Sequence, residues 1–260
     1  YGAFPDVKIL EHAVDPFVFK QLPEREKASL RSNMNIPKDA VVFLNINRNS
    51  QRKRQDLTLG GFAELLARHP DKPYYLILAT GVNPQAGAYY DIQRIFQTEI
   101  VERGLPQTML QRLLLIDTSG QSILGDDAVN GLYNAADIGV NTSDGEGFGL
   151  CQLEHMYTGA PQIVTDVGSY RSFLDDSVAE FIKPVSHQWF PGGMPLGSTS
   201  MVFLYQDVAS AMERMIDTLP ERKKAVSSYS FKTWSQVCDD WLEDVLTESG
   251  LSSQVATVSV

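Results

Sequence analysis

The sequence predicts an α/β fold in which a doubly wound, mostly parallel sheet is flanked by helices. Short apolar runs rich in β-branched residues alternate with longer runs that have helical periodicity. The loops that follow the apolar runs are rich in glycine and in hydrogen-bonding side chains, as at the ligand-binding edge of a parallel sheet. The chain has 260 residues and is 43% hydrophobic, which is enough for a sizeable core.

Seven segments are predicted to be strands, because each is a short apolar run with turn residues on either side. They are residues 7–10, 41–46, 74–79, 112–117, 138–142, 162–165 and 180–183. The gaps between them are long enough for the helical crossovers that parallel strands require. The sequence therefore predicts βα units in succession.

Helices are predicted in those gaps, where apolar residues recur every three or four positions. They cover residues 23–34, 57–69, 89–103, 126–136, 149–158 and 170–174. Two more are predicted after the last strand, at residues 207–219 and 231–247. The second carries Trp234 and Trp241 at a spacing that is more typical of a core face than of a cofactor site.

The predicted domain organisation is a single domain over residues 1–250, with a linker-like start at 1–20 and a loose tail at 251–260. Between residues 183 and 205 the alternation stops. Prolines, glycines, Trp189 and Phe190 indicate an irregular insertion there, either a long ordered loop or a hairpin with aromatic anchors.

Composition limits the possible partners. A net charge of −10 disfavours nucleic acid and anionic membranes as partners, and no apolar run is long enough to span a bilayer. Cys151 and Cys238 are far apart in helical patterns and are predicted to be reduced core or near-site thiols, which favours a cytoplasmic protein. The histidines lack the spacing of metal ligands, so no metal site is predicted; His155 is expected to pack beside its helix or to face solvent.

The most informative segment is residues 143–154, in which alternate glycines lie between carboxylates. Glycine lets a backbone approach a ligand and adopt positive φ, and the helix predicted to begin near Gly149 adds free N–H groups and a positive dipole end. The segment therefore predicts a phosphate site. Glu154 lies beside the apolar face of that helix and needs a hydroxyl or N–H partner, which a ribose diol would supply.

A basic island at residues 48–54 stands out in this acidic chain. Arg48 and Lys53 follow the second predicted strand, and we expect them to neutralise the charge of a diphosphate held by the glycine-rich loop. Arg52 and Arg54 are expected to be solvated loop charges.

Taken together, these features resemble the carboxyl-terminal, donor-binding domain of retaining glycosyltransferases with the GT-B fold, family 4 in particular. The resemblance covers nearly the whole chain and implies a Rossmann-like half of that fold. The family has an arginine and, five positions later, a lysine after a strand, as Arg48 and Lys53 are here. It also has a Glu-x-Phe-Gly-x-x-x-x-Glu pattern, which residues 146–154 match. The chain departs from the family at Asn47, where a glycine is usual, and at Arg54.

The resemblance implies a role for each candidate residue. Arg48 and Lys53 would hold the diphosphate and Glu146 the hydroxyls of the donor sugar. The other donor-binding positions would be Gly147 and the backbone N–H groups of Phe148, Gly149 and Leu150 at the phosphate, Glu154 at the ribose, and Asp117 with Thr118 at the base. Because Asp117 could accept hydrogen bonds from guanine, a GDP-sugar is slightly favoured over a UDP-sugar.

The implied function is the transfer of a sugar from a nucleoside diphosphate sugar to a hydroxyl of a glycan, lipid or protein acceptor, with retained configuration and without metal or cofactor. The chain begins at Tyr1, and residues 7–17 resemble the connection that leaves an amino-terminal acceptor domain. We therefore expect that domain to be absent from this chain, which would bind the nucleotide sugar without turning it over. Two alternatives stay open: a nucleotide-sugar epimerase or phosphorylase of the same architecture, and a non-catalytic nucleotide-sugar-binding module.

Overall fold

The computed structural model describes residues 10–119, 124–189 and 199–248. Its main sheet has six strands, all parallel to their neighbours, in the order β3-β2-β1-β4-β5-β6. The strands are β1 (Val41–Ile46), β2 (Tyr74–Thr80), β3 (Leu113–Asp117), β4 (Ile138–Asn141), β5 (Gln162–Thr165) and β6 (Ala179–Ile182). The predicted α/β fold with a doubly wound parallel sheet is confirmed, and strand order reverses between β1 and β4.

Eight α-helices lie in the described residues: α1 (Glu24–Asn33), α2 (Gln55–Arg68), α3 (Ile92–Glu102), α4 (Asp126–Ala135), α5 (Leu150–Tyr157), α6 (Tyr205–Asp217), α7 (Leu219–Ser227) and α8 (Trp234–Glu248). The helix predicted at 170–174 is a 3-10 turn, Gly168–Ser172. The helix α7 was not predicted. It contains few apolar residues, so its sequence shows little helical periodicity. Pro220 lies in the first turn of α7, where proline is favourable, but in the sequence this proline indicates the end of the preceding helix.

The structure departs from the strand predictions in two regions of the chain. The strand predicted at 7–10 falls on residues 7–9, which lie outside the described part, and on Leu10, which is not in a strand. In the region predicted to be irregular, β7 (Ser186–Trp189) pairs antiparallel with β8 (Thr199–Val202), so the hairpin alternative holds there. Trp189 is 65% exposed and is therefore no anchor, contrary to the prediction, and Phe190 lies outside the described residues.

The sheet is buried on both faces. One face packs on α2, α3 and α6 through a cluster that includes Phe43, Phe62 and Phe96. The other face packs on α4 and on the segment after α1, where Leu44 and Tyr133 are fully buried. Because all six strands have parallel neighbours, their carboxyl ends lie along one edge, and the loops rich in glycine and hydrogen-bonding side chains follow those ends.

An ion-pair cluster lies at the opposite, amino edge of the sheet. The carboxylate of Asp137 accepts hydrogen bonds from Arg31 at 2.6 Å, from Lys223 at 2.7 Å and from the backbone N–H of Val42 at 3.0 Å. Burial would raise the pKa of Asp137, but the two cations hold it below its ordinary value. This cluster joins α1, α7 and β1.

The chain divides into two compact units. Val18–Tyr229 holds the sheet, and the described residues of Tyr1–Phe17 and Ser230–Val260 form the other unit, which contains α8. Trp241 is 53% exposed and Cys238 is exposed, whereas Val237 on the same predicted face is buried. The predicted core face of α8 is therefore wrong for most of its residues, and the predicted core thiol at 238 is wrong. Among the described helices, none combines the length and hydropathy that a membrane span requires.

Candidate functional site

The candidate site lies where strand order reverses. Strands β1 and β4 are neighbours, with Leu44 opposite Gly139, and their following loops lead to α2 and to α5 respectively. Ligands of doubly wound sheets bind in the crevice that such diverging loops form. Residues 47–54 and 142–149 therefore line the two sides of one crevice.

Buried polar side chains fix the two loops from below. The hydroxyls of Thr58 and Thr142 are 2.7 Å apart, and Asn45 donates to Thr58 at 2.9 Å. Thr142 in turn donates to the backbone carbonyl of Arg54 at 2.7 Å. A buried hydrogen-bond network of this kind rigidifies what it supports, so the loops are held in place before any ligand arrives.

Lys53 and Glu146 meet across the crevice. The Nζ of Lys53, a residue only 9% exposed, is ion-paired with Oε1 of Glu146 and donates to Oδ1 of Asn47 at 2.7 Å. Glu146 also accepts from Ser143 at 2.6 Å and from Arg52 at 2.9 Å. Burial would raise the pKa of Glu146, but these hydrogen bonds hold it below its ordinary value, so the carboxylate is ionised at neutral pH.

Arg48 is not part of that contact. It follows β1 and is exposed, and no hydrogen bond or ion pair of its side chain occurs within the described part of the chain. The structure thus joins Lys53 to Glu146 but leaves Arg48 apart from both. Asn47, the departure from the family pattern, holds the ammonium group of Lys53.

The other two arginines of the island, Arg52 and Arg54, were expected to be solvated loop charges. That prediction is wrong, because both side chains are paired with acids. The guanidinium of Arg52 donates to the carbonyl of Gly145 as well as to Glu146. Arg54 has a left-handed backbone, with φ of 45°, and its side chain is paired with Asp56 at 2.9 Å and Asp144 at 3.4 Å. Burial would lower the pKa of Arg54, but these two acids raise it. Sequence reasoning missed Arg52 because its acidic partner lies 94 residues away.

The glycines of the loop after β4 differ from one another. Gly149 has a φ of 110°, and a Cβ there would lie 2.7 Å from the ring of Tyr170, so no other residue fits without strain. Gly145 and Gly147 do not have positive φ, contrary to the expectation, and a Cβ on either would meet nothing within 4 Å. The space that a side chain at either position would occupy is therefore open.

The α5 helix begins directly after Gly149 without a side-chain cap. In the part of the chain that the structure describes, the N–H groups of Gly149 and Leu150 donate no hydrogen bond. The ring of Phe148 stacks on Phe173 at 4.5 Å, and its carbonyl accepts from Ser169 at 2.7 Å. The start of α5 is therefore a fixed group of amides, and their predicted contact with phosphate stays a prediction.

Glu154 has a partner that the sequence did not reveal. The hydroxyl of Tyr133 donates to Oε2 of Glu154 at 2.8 Å. Burial raises the pKa of Glu154, and the tyrosine hydrogen bond offsets part of that effect. Tyr133 also stacks on His155 at 5.0 Å; this histidine is buried against α4, which lowers its pKa to about 3, so it does not face solvent.

Asp117 and Thr118 lie at the end of β3, two strands away from β1. Oδ1 of Asp117 accepts from the backbone N–H groups of Val82 at 3.2 Å and Ser119 at 2.8 Å. The N–H of Thr118 donates to Thr80 at 3.0 Å. The loops after β2 and β3 are thus joined, and Asp117 is exposed where they meet.

A cavity of about 890 Å³ lies at the amino edge of the sheet, around the cluster of Arg31, Asp137 and Lys223. None of the site residues predicted from the sequence lines it, although Tyr133, the partner of Glu154, does. The candidate site is instead an open crevice at the carboxyl edge, which is where the fold places ligands.

The chain matches known proteins along most of its length. Residues 40–188 match the family described as glycosyl transferases group 1. Over 226 residues the chain is 26% identical to the D-inositol 3-phosphate glycosyltransferase of Corynebacterium aurimucosum. The matched region covers 85% of this chain and 46% of that relative. The chain thus spans less than half the length of this curated relative.

Solved structures show the same fold. Anabaena HepE, solved in complex with UDP and glucose, matches with a TM-score of 0.65 at 16% identity, over 92% of this chain and 57% of that one. The C-terminal domain of a glycosyl transferase group 1 family protein from Francisella tularensis matches with a TM-score of 0.59 at 20% identity, over 82% of this chain and 92% of that one. The described sheet and helices are accordingly the Rossmann-like half of a GT-B fold.

Proposed function

The chain belongs to the glycosyl transferases of group 1, and we propose that it is the part of such an enzyme that binds a nucleoside diphosphate sugar. The ion pair of Lys53 with Glu146 carries this proposal, because it places a cation at the strand-order reversal beside the uncapped start of α5. Cations on one side and free amides on the other are complementary to a diphosphate.

The diphosphate would lie between Lys53 and the amides of Gly149 and Leu150. Exposed Arg48 has no competing partner in the described residues and would close over it from the end of β1. Side-chain cations and helix amides stabilise negative charge on a leaving group most strongly in a site that excludes water. We propose that these groups suffice, so that transfer proceeds without a bound metal ion.

The sugar and the nucleoside would lie on either side of the diphosphate. Glu146 would accept hydrogen bonds from the donor sugar, which transfers with retained configuration. Glu154 would accept from the ribose through Oε1, because Oε2 is already bound by Tyr133. Asp117 would accept from the base through its exposed carboxylate, and this acceptor favours guanine, which presents adjacent N–H donors, over uracil.

The acceptor hydroxyl, on a glycan, lipid or protein, would come from the side of the crevice that faces away from this chain. We propose that a further, amino-terminal domain binds the acceptor, and that this chain alone binds the donor without transferring the sugar. The length of the relative, of which the chain spans 46%, supports a further domain.

Isothermal titration of the chain with GDP, UDP and ADP tests the proposal. We expect one of them to bind, and Arg48→Ala to weaken that binding about tenfold, because one charge-assisted contact to phosphate is lost. Arg25→Ala is the matched control, since this exposed arginine lies in α1 at the cavity on the amino edge. Binding of none of the nucleotides, or equal losses in both variants, would contradict the proposal.

Turnover is tested separately in the full-length enzyme, where product anomers are assigned by NMR with and without EDTA. We expect the product to keep the anomeric configuration of the donor sugar, and we expect EDTA to leave turnover unchanged. Nucleotide binding without transfer to any acceptor would indicate a non-catalytic module.

A further inference from the structure

Tyr133 is held rigidly near the end of α4. It is 1% exposed, and its ring stacks on His155 with a centroid distance of 5.0 Å and an angle of 15° between the planes. The ring of Phe19 also packs against the Tyr133 ring, with a centroid distance of 5.7 Å. Because neighbours hold the ring from α5 and from the segment before α1, the hydroxyl has a fixed direction.

That hydroxyl is directed at one oxygen of Glu154. It donates to Oε2 at 2.8 Å, and no other hydrogen bond of the Glu154 carboxylate occurs in the described residues. Burial raises the pKa of Tyr133 well above its ordinary value, and the nearby Cys151 and Glu154 add to this effect. Tyr133 is therefore always protonated at physiological pH and is a permanent donor.

We propose that Tyr133 is a positioning residue for the ribose of the bound nucleotide, which it serves by fixing the carboxylate of Glu154. With Oε2 bound, Oε1 keeps its lone pairs for the vicinal hydroxyls of the sugar. A glutamate side chain without this contact would have to be ordered by the ligand itself, at a cost in affinity. The inference rests on the proposed function, since it requires that Glu154 binds the ribose.

The same contact affects protonation of Glu154. Burial raises its pKa, the charge of Asp126 raises it further, and the hydrogen bond from Tyr133 lowers it. The remaining group nearby, Cys151 on the same helix, has a raised pKa and stays neutral below its ordinary value of 9.0. Loss of the tyrosine hydroxyl therefore raises the pKa of Glu154, and protonation removes an acceptor from the ribose site.

The test is titration calorimetry on the chain with its preferred nucleoside diphosphate and with the 2′,3′-dideoxy analogue, between pH 5 and pH 8. We expect Tyr133→Phe to lose about tenfold in affinity for the natural nucleotide and little for the analogue, since only the former has the hydroxyls that Glu154 binds. The pH below which affinity falls should be higher in Tyr133→Phe than in wild type. In Glu154→Gln the only fall should be the one that protonation of the terminal phosphate, at about pH 6, causes equally for both ligands.

Tyr74→Phe is the matched control, because Tyr74 is buried at the amino end of β2, away from the crevice. A second variant, Phe19→Ala, loosens the ring of Tyr133 without removing its hydroxyl. Phe19→Ala should lose less affinity than Tyr133→Phe, and again the loss should be larger for the natural nucleotide than for the analogue. This variant keeps the test decisive if Tyr133→Phe does not fold.

Failure of the inference is distinguishable from failure of the proposed function. If wild type binds the natural nucleotide better than the analogue, and Tyr133→Phe loses nothing or loses equally for both ligands, then the positioning role is overturned. If wild type binds no nucleotide, the proposed function is overturned and the inference with it. If wild type binds both ligands equally, Glu154 does not bind the ribose, and the inference fails together with that ribose assignment, while nucleotide binding by the chain stands.

Discussion

The ammonium group of Lys53 forms a buried ion pair with the carboxylate of Glu146 and so joins the loop after β1 to the loop after β4. Arg52 contacts the other oxygen of the same carboxylate at 2.9 Å. Two cations of the loop after β1 are therefore fixed on one carboxylate of the loop after β4. In the proposed complex this places positive charge beside the leaving diphosphate at no cost of ordering when the donor binds.

Lys53→Ala should lower turnover of the full-length enzyme by about a hundredfold or more, because one preorganised contact to developing charge is removed. Steady-state release of nucleoside diphosphate is the measurement. Lys72→Ala, which alters an exposed lysine before β2, is the control and should leave turnover unchanged. A change of only a few-fold in Lys53→Ala would count against its role.

The two glycines at 147 and 149 should respond differently to alanine. Gly149→Ala should cost about 2 kcal/mol or more in the free energy of unfolding, because φ is 110° and the new Cβ would contact Tyr170. Gly147→Ala should leave stability within about 0.5 kcal/mol but weaken nucleotide binding, since a Cβ there meets only the space a ligand would occupy. Urea unfolding and calorimetry separate the two effects; equal stability losses would refute the distinction.

His155 should make stability depend on pH. Its pKa in the folded chain is about 3, against 6.5 ordinarily, because it is buried. Below pH 6.5 the unfolded chain binds a proton that the folded chain does not, so stability falls as pH decreases, by at most about 1.4 kcal/mol per pH unit. Urea unfolding at pH 7 and pH 5 should show a smaller difference in His155→Phe than in wild type, and an equal difference would contradict the assignment.

Asp137 should stabilise the fold through its charge. Asp137→Asn should cost about 3 kcal/mol at pH 7, because it leaves Arg31 and Lys223 without their shared anion. The lowered pKa means that this contribution is present above the ordinary value of 3.8 and is lost as pH falls through the lower, folded value. Denaturant unfolding of Asp137→Asn against exposed Asp71→Asn measures it, and similar values for both would be inconsistent with this role.

The fold could be read from the sequence because each strand of the main sheet is a compact apolar run. The strands predicted at 41–46 and 162–165 have the same bounds in the structure. The hairpin strand Ser186–Trp189 could not be assigned, because all four of its residues are exposed, the first three are polar, and they show no alternation. Its partner lies across a segment outside the described residues, so pairing and not periodicity defines it.

The candidate site could be predicted in its residue types but not in its contacts. Lys53 and Glu146 are 93 residues apart, and they meet only because β1 and β4 are neighbours, which is a property of strand order. Tyr133 was missed for a different reason. A tyrosine on the apolar face of a helix looks like a core residue, and Tyr133 is one, so only the position of its hydroxyl reveals the link to Glu154.

A crystal structure of the chain with its preferred nucleoside diphosphate tests the central claim most directly. The account predicts diphosphate density within hydrogen-bonding distance of Lys53 and of the N–H groups at the start of α5, with the ribose on Glu154. Density in the cavity at the amino edge, around Asp137, or a diphosphate out of reach of Lys53, would contradict it.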